Sequence, residues 1–400
     1  MAQELTYALI TPYSLLKSRT GGIIGRLMVM GDLDLVGAHM YAPSDEFVDR
    51  YIESVKNQGD MPGRLKTAMV AYIDENFRPE NAMGLSNRTV LLLFRGHNAM
   101  ETLRKHAVGA LTTEPKGDTV RGTYGDFLRY PDGALKYFEP AVLTAGNPAS
   151  NIEQLSLFAR YARSDGGNVE RALKLPADPA RETTLVILKP ENFSKKSVRP
   201  GNIVDIFSHT GLFIVGAKVL RMSVAQAMEF YAPLMDIFPE RLKGRLAAVL
   251  REGLEKSLNF KIEPELYDKM ADLLKLHNAR YEFNRIVEYM TGMDPDAVAK
   301  ASERCKPGKL KCLALLYHGA GAINKIRERL GPTDPSKAPE GTVRSDFGQS
   351  LMSNAAHASD SRENAERERR IIGFAGTPDE PCEVEQVILE YLDSAGHKRD

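Results

Sequence analysis

An order of elements met near the amino terminus is met again in the second half of the chain. The run TYALITPYSLL, from Thr6, and the run TTLVILKPENF, from Thr183 to Phe193, are short apolar segments that stop at Thr-Pro or Lys-Pro. Each predicts a buried strand. After each comes a segment of helical period, GGIIGRLMVMGD or GNIVDIFSHTG, and then a second strand, LDLVGAHMYAPS or LFIVGAKVLRMS. A shared Val-Gly-Ala falls at Val36-Gly37-Ala38 and at Val215-Gly216-Ala217. Further on, TVLLLFRGHNAMETLRKHAVG pairs with KCLALLYHGAGAINKIRERLG, and DTVRG at Asp118 to Gly122 pairs with GTVRS at Gly341 to Ser345. Agreement of order and type throughout predicts a duplicated domain.

Each copy orders its elements β-α-β-α-(α)-β-α-β-α, the split βαβ arrangement in which helices cover one face of an antiparallel sheet. The expected fold class is therefore α+β, with two ferredoxin-like (split βαβ) domains. The first spans 1–160, a linker rich in Gly, Pro and charge spans 161–181, and the second spans 182–400. The second copy carries an extra stretch at about 238–307, including ERLKGRLAAVLREGLEKSL and ARYEFNRIVEYMTGM. Its helical period and mixed charge predict a packed helical insertion at the surface.

A length of 400 residues is too great for one ordinary core and suits two domains, and the hydrophobic fraction of 43% is enough to bury both. Lys plus Arg balance Asp plus Glu at 53 each, so the chain has no global electrostatic footprint for nucleic acid or an anionic membrane. Any anionic ligand must be met locally. The three cysteines, Cys305, Cys312 and Cys382, are odd in number and the eight histidines are scattered, which suggests neither a disulfide framework nor a zinc cluster. A reducing cytoplasm fits this usage. The start MAQELTYALITP lacks a basic stretch followed by an apolar core, and no apolar run reaches the length of a membrane span. The expectation is a soluble chain that is not exported.

The segment SNAAHASDSRENAERERRI, Ser353 to Ile371, holds the most specific chemistry. Asp360 followed by Glu363 is a capping-box pattern and predicts a helix from about Ser361. His357 then stands just outside the helix amino terminus, where unpaired N–H groups and the dipole favour an anion such as a phosphoryl group. Positions 361, 365, 368 and 372 share one helix face, so Glu368 points inward while Arg362, Glu366, Arg367 and Arg370 take the outer positions. A buried carboxylate needs a partner. An imidazole at the end of the same helix can be that partner, since a carboxylate orients it and stabilises its cationic, phosphorylated form. A satisfied core histidine beside a partly exposed glutamate would produce the same pattern. Elsewhere in this copy, Lys189 ends a strand, Arg327 lies near a helix end before Thr333, and Arg344 stands in GTVRSDF. Each alone reads as a solvated charge. Three cations, a hydroxyl and a histidine together form a set that phosphoryl transfer uses, because that chemistry needs positioning and charge neutralisation. There is no GxxxxGK[ST] loop and no HRD or DFG set.

With these residues in hand, the second copy resembles the nucleoside diphosphate kinase family. That family is marked by Asn-x-x-His-Gly-Ser-Asp-Ser, present as NAAHASDS from Asn354 to Ser361, and by a glutamate in the next helix, here Glu368. Lys189-Pro190, Gly341 to Arg344, Arg327 before Leu-Gly-x-Thr-x-Pro with Thr333, and Tyr231 in EFYAPL match further marks. The resemblance implies that His357 is the phosphorylated nucleophile, oriented by Glu368 and Ser359. It implies phosphate binding by Lys189, Arg327, Arg344 and Thr333, and sugar contact by Asn354. It also implies a ping-pong kinase acting on nucleoside tri- and diphosphates, with Mg2+ held mainly by the nucleotide phosphates, and assembly into a homo-oligomer.

The match has departures. Ala358 replaces the glycine after the histidine, and Glu191-Asn192 replaces Asp-Gly after Lys-Pro. The insertion begins where the family places its base-stacking hairpin, so Phe238 is the candidate for stacking. A nucleotide-binding regulatory or assembly protein on the same scaffold, with little turnover, is the alternative. The first copy has Thr11-Pro12 for Lys189-Pro190, keeps Arg121, carries Lys105 near the place of Arg327, and has no histidine between His106 and His209. It is expected to be without catalysis.

Overall fold

The computed structural model describes residues 3–396 apart from 30–31, 60, 82–83, 110, 112–116, 133–134 and 378–379. The amino-terminal copy contains β1 (Glu4–Ile10), β2 (Leu33–Tyr41), β3 (Thr89–Gly96), β4 (Asp126–Arg129), β5 (Leu135–Glu139) and β6 (Val142–Leu143). The carboxy-terminal copy contains β7 (Arg181–Leu188), β8 (Phe213–Leu220), β9 (Cys312–Ala320) and β10 (Ala356–Ala358). The sheets run β2-β3-β1-β6 and β8-β9-β7-β10, every pairing antiparallel, so equivalent strands occupy equivalent places. This is the α+β, ferredoxin-like arrangement that the repeat predicts. The hairpin β4-β5 forms a separate two-stranded sheet with no counterpart in the second copy among the described residues.

The shared Val-Gly-Ala has a structural reason. The register between β2 and β3 slips between Leu35 and Gly37, and that between β8 and β9 slips between Ile214 and Gly216. Both copies therefore bulge at the same place, which bends the edge strand and increases its twist. A Cβ on Gly216 would stand 2.8 Å from Leu316 Cδ1 and from Phe374 Cζ, so only glycine fits there without displacing the core.

The strand runs are continuously apolar because both faces of the first sheet are covered, whereas the pattern alone predicts helices on one face. Leu5, Tyr7 and Leu9 join one buried cluster with the helices Asp45–Lys56, Gly63–Phe77 and Pro148–Arg160. Ala8 and Ile10 join another with the helix Thr20–Val29. Alternation along β1 sends these sets to opposite sides. The second cluster is shared: it also contains Val186, Leu188, Ile203 and Phe207 of the second copy.

The two copies form one compact unit, residues 1–220 and 312–400, while 221–311 form another. Packing thus groups the chain differently from the sequence boundaries 1–160, 161–181 and 182–400. Three features unite the copies. Helix Thr20–Val29 lies against helix Arg199–Ser208 so closely that a Cβ on Gly201 would stand 2.3 Å from Gly21 O. The presumed linker is ordered: Ala42 N donates to Asp165 O, Gly167 N to Met40 O, and Val169 N to Val215 O. Asp165 also accepts from the backbone N–H and hydroxyl of Ser44, the N-cap of helix Asp45–Lys56. Lastly, helix Glu383–Ser394 packs on helix Pro148–Arg160 and β2, with Val384, Ile388 and Leu392 in the first copy's core. Its apolar stripe signals burial but does not say against which sheet.

The second unit is helical. Helix Val224–Tyr231, capped by Ser223, leads into Leu234–Ser257, which runs beside Pro264–Thr291. The unit exceeds the expected insertion, 238–307, because Val224–Tyr231 packs on Pro264–Thr291. Ala247, Tyr267 and Ala271 centre a small core, and Lys243 and Lys275 both pair with Asp272.

Candidate active site

His357 is the middle residue of β10, paired opposite Ile187 of β7. The residue two before it, Ala355, is fully buried and has φ +70°, a left-handed conformation that non-glycine residues rarely adopt. Three bonds hold it there: its N–H donates to Glu191 Oε1 at 2.9 Å, and its carbonyl accepts from Lys189 N at 3.0 Å and Asn192 Nδ2 at 2.7 Å. Such over-determination is what a conformation costing about 1–3 kcal/mol requires. Glu191 and Asn192, departures from the family pattern in sequence, thereby position the strand that carries the histidine. Only the oddity of Glu-Asn after Lys-Pro could have signalled this.

The next helix is Arg362–Ile371, and its N-cap is Ser361, whose hydroxyl accepts from Asn364 N. The cap lies one residue beyond the expected Asp360; Asp360 instead accepts from Asn364 Nδ2 at 2.7 Å. The inward face is as expected, with Ala365, Glu368 and Ile372 buried. Glu368, 4% exposed, accepts at Oε2 from Ser359 Oγ at 2.6 Å and meets His357 Nε2 at 2.8 Å. Its other oxygen lies 3.7 Å from Arg367. A buried carboxylate thus has two donors, and the imidazole is held by the nitrogen that faces it. A neutral ring that donates its Nε2–H here keeps its lone pair on Nδ1.

Lys189 follows β7, and its ammonium donates to Met352 O at 3.0 Å and Asn354 Oδ1 at 2.7 Å. Burial lowers its pKa to about 8, with Arg344 adding to the effect and Glu191 opposing it. Asn354, buried, donates in turn to Thr333 O and Leu351 O. Arg344 sits on the short helix Val343–Phe347 and donates to Gly331 O at 2.9 Å and Ala356 O at 3.1 Å. It therefore anchors the residue before the histidine, a role the sequence does not reveal. Arg327 and Thr333 are exposed, on helix Ala322–Leu330 and in the turn after it. That helix packs against β10. Tyr231, buried, and Phe238, half-buried, belong to the helical unit and lie outside the unit that holds His357.

The first copy has the same frame with other side chains. Ile10 pairs with Val142 and Leu9 with Leu143, as Leu188 pairs with Ala356 and Ile187 with His357. Leu143 therefore takes the histidine's place. Ala141 repeats the left-handed turn at φ +59°, and Arg121 donates to Gly109 O and Val142 O as Arg344 does to Gly331 O and Ala356 O. Counting from the caps Asn147 and Ser361, Gln154 replaces Glu368. It accepts from Tyr7 and donates to Ser54.

Comparison with known proteins agrees with this geometry. The sequence profile described as nucleoside diphosphate kinase matches residues 267–375. The chain is 31% identical to a nucleoside diphosphate kinase of Campylobacter hominis over 195 residues, 49% of this chain and 96% of the relative. It is 32% identical to one of Bdellovibrio bacteriovorus over 187 residues, 47% of this chain and 89% of the relative. A third, of Campylobacter fetus subsp. fetus, is 30% identical over 47% of this chain and 91% of its own length. With this coverage of its relatives, the chain belongs to the nucleoside diphosphate kinase family.

Proposed function

We propose that the chain is a nucleoside diphosphate kinase that works through a phosphohistidine at His357. The observation that carries this reading is the 2.8 Å contact between His357 Nε2 and the buried carboxylate of Glu368, itself fixed by Ser359. In the first half-reaction the Nδ1 lone pair attacks the terminal phosphorus of a nucleoside triphosphate. The N–P bond forms, the bond to the bridging oxygen breaks, and the nucleoside diphosphate leaves. As the ring becomes cationic, Glu368 stabilises it. In the second half a different diphosphate attacks the phosphorus and the imidazole is released.

Lys189, Arg327 and Arg344 supply positive charge and Thr333 a hydroxyl near the phosphates, with Asn354 toward the sugar. This set of cations suits phosphate oxygens and does not suit a bare metal ion, so Mg2+ enters as the magnesium complex of the nucleotide substrate. Cys305, Cys312 and Cys382 are free thiols, and no described helix is long and apolar enough to cross a membrane. The reading includes a cytoplasmic setting and a homo-oligomer.

Incubation with ATP labelled at the terminal phosphate, with magnesium, is expected to give an acid-labile, alkali-stable label on His357 that a second nucleoside diphosphate removes. His357→Asn is expected to lose both label and exchange. Phosphate exchange between nucleotides in that variant would refute the assignment, and label that no diphosphate removes would indicate a binding protein.

A further inference from the structure

A cavity of about 240 Å³ opens in the amino-terminal copy where the second copy has its histidine. Leu143, at the histidine's position, forms part of its wall together with Val55, Leu65, Met69 and Ile73. Two guanidinium groups, Arg104 and Arg121, also line it. Arg121 is 3% exposed, and the Nε atoms of both arginines are buried without a hydrogen-bond partner among the described residues. Burial, with Arg104 adding to it, lowers the Arg121 pKa to about 9. Among the described residues, no carboxylate lines the cavity. The nearby carboxylate of Glu139 is already committed to Thr11, Tyr72 and Ala141 N. Two like charges in an apolar wall call for an anion.

The anion is not a polyphosphate. Where the second copy has Lys189, Asn354 and Thr333, this copy has Thr11, Pro140 and Leu111. Lys105, at the place of Arg327, is exposed and paired to Glu101 at 2.5 Å. What remains is two guanidinium groups in a chamber otherwise lined mainly by apolar side chains. At interior packing density the chamber holds roughly 180 Å³ of ligand, the size of a two-ring aromatic acid.

We propose that the amino-terminal copy is a binding site for a small monoanion with an apolar body, whose charge Arg104 and Arg121 neutralise. The site is independent of the chemistry at His357. Calorimetric titration of the full chain with 2-naphthoate is expected to show one saturable site, kept in His357→Asn. The neutral probe 2-naphthamide, and 2-naphthoate with Arg104→Gln, are expected to bind about 10–100-fold more weakly, the worth of one charge-assisted bond. Met69→Trp fills the chamber and is expected to abolish binding. Both variants should form phosphohistidine at the normal rate, which shows that they are folded. Absence of saturable binding, equal affinity for acid and amide, or undiminished binding in Met69→Trp would each overturn the proposal.

Discussion

Replacing Glu368 by glutamine removes one negative charge and almost no volume. The carboxylate accepts two bonds at Oε2, from Ser359 Oγ at 2.6 Å and His357 Nε2 at 2.8 Å, and is 4% exposed. An amide oxygen can accept both, so the geometry survives. Gln154 occupies the equivalent buried position in the first copy, which shows that the frame tolerates an amide there. What is lost is charge assistance. A bond to a charged group is worth about 1.5–3 kcal/mol and a neutral one about 1, so the cationic imidazole formed during transfer loses about 1–2 kcal/mol. That corresponds to roughly 5–30-fold slower phosphorylation. The assay is rapid-quench measurement of phosphohistidine formation from ATP and magnesium, with a melting curve to establish that the variant is folded. A larger loss is expected for Glu368→Ala, which leaves two buried donors unsatisfied and a void. A folded Glu368→Gln variant that phosphorylates at the native rate would refute the argument, because the carboxylate charge would then take no part in the step.

Arg344→Ala removes the donors that hold Gly331 O and Ala356 O, so a loss of about 2–4 kcal/mol in denaturant unfolding should accompany slower turnover; unchanged stability would place the residue in phosphate binding alone. Gly201→Ala puts a methyl 2.3 Å from Gly21 O and is expected to cost about 1–3 kcal/mol, read from the same unfolding curves. Because the Lys189 pKa is lowered to about 8, kcat/KM should fall as pH rises through that value and a cation is lost; Lys189→Arg should move this limb upward. The sign for stability is opposite: between about 8 and the ordinary lysine value of 10.5 the unfolded chain binds the extra proton, so this residue's contribution rises with pH. Phosphate incorporation per chain should not exceed one, since Leu143 replaces the nucleophile in the first copy; label on a peptide from 1–160 would disprove this.

The parts of this architecture that depend on local period were legible in the sequence. Strand β1 and strand β7 follow from short apolar runs that stop at Thr-Pro and Lys-Pro, the inward face of Glu368 follows from spacings of three to four, and the repeat predicts the common strand order. What was not legible depends on residues distant in the chain. Arg344 looks like a surface charge until the fold brings Gly331 and Ala356 within its reach. Residues 161–181 have the composition of a linker, yet Asp165 and Val169 are buried because two strand edges lie beside them. The stripe Val384, Ile388, Leu392 predicts a buried helix face without naming its partner. Tyr231 matches the family pattern and Phe238 is the stacking candidate where that pattern breaks, but Tyr231 ends helix Val224–Tyr231 and Phe238 lies within helix Leu234–Ser257, both in the separate helical unit.

The docking of helix Glu383–Ser394 on the first copy has a consequence for synthesis. Translation proceeds from the amino terminus at roughly 5–20 residues per second, so residues that complete this core leave the ribosome roughly 10–50 s after helix Pro148–Arg160 is made. Through that interval the face of β2 around Gly37, which Val384 finally covers, is open to water. A nascent chain of this protein therefore carries a temporary apolar surface until helix Glu383–Ser394 covers it, and a premature stop between residues 372 and 383 yields a product that retains His357 and Glu368 while exposing a binding surface for chaperones and proteases.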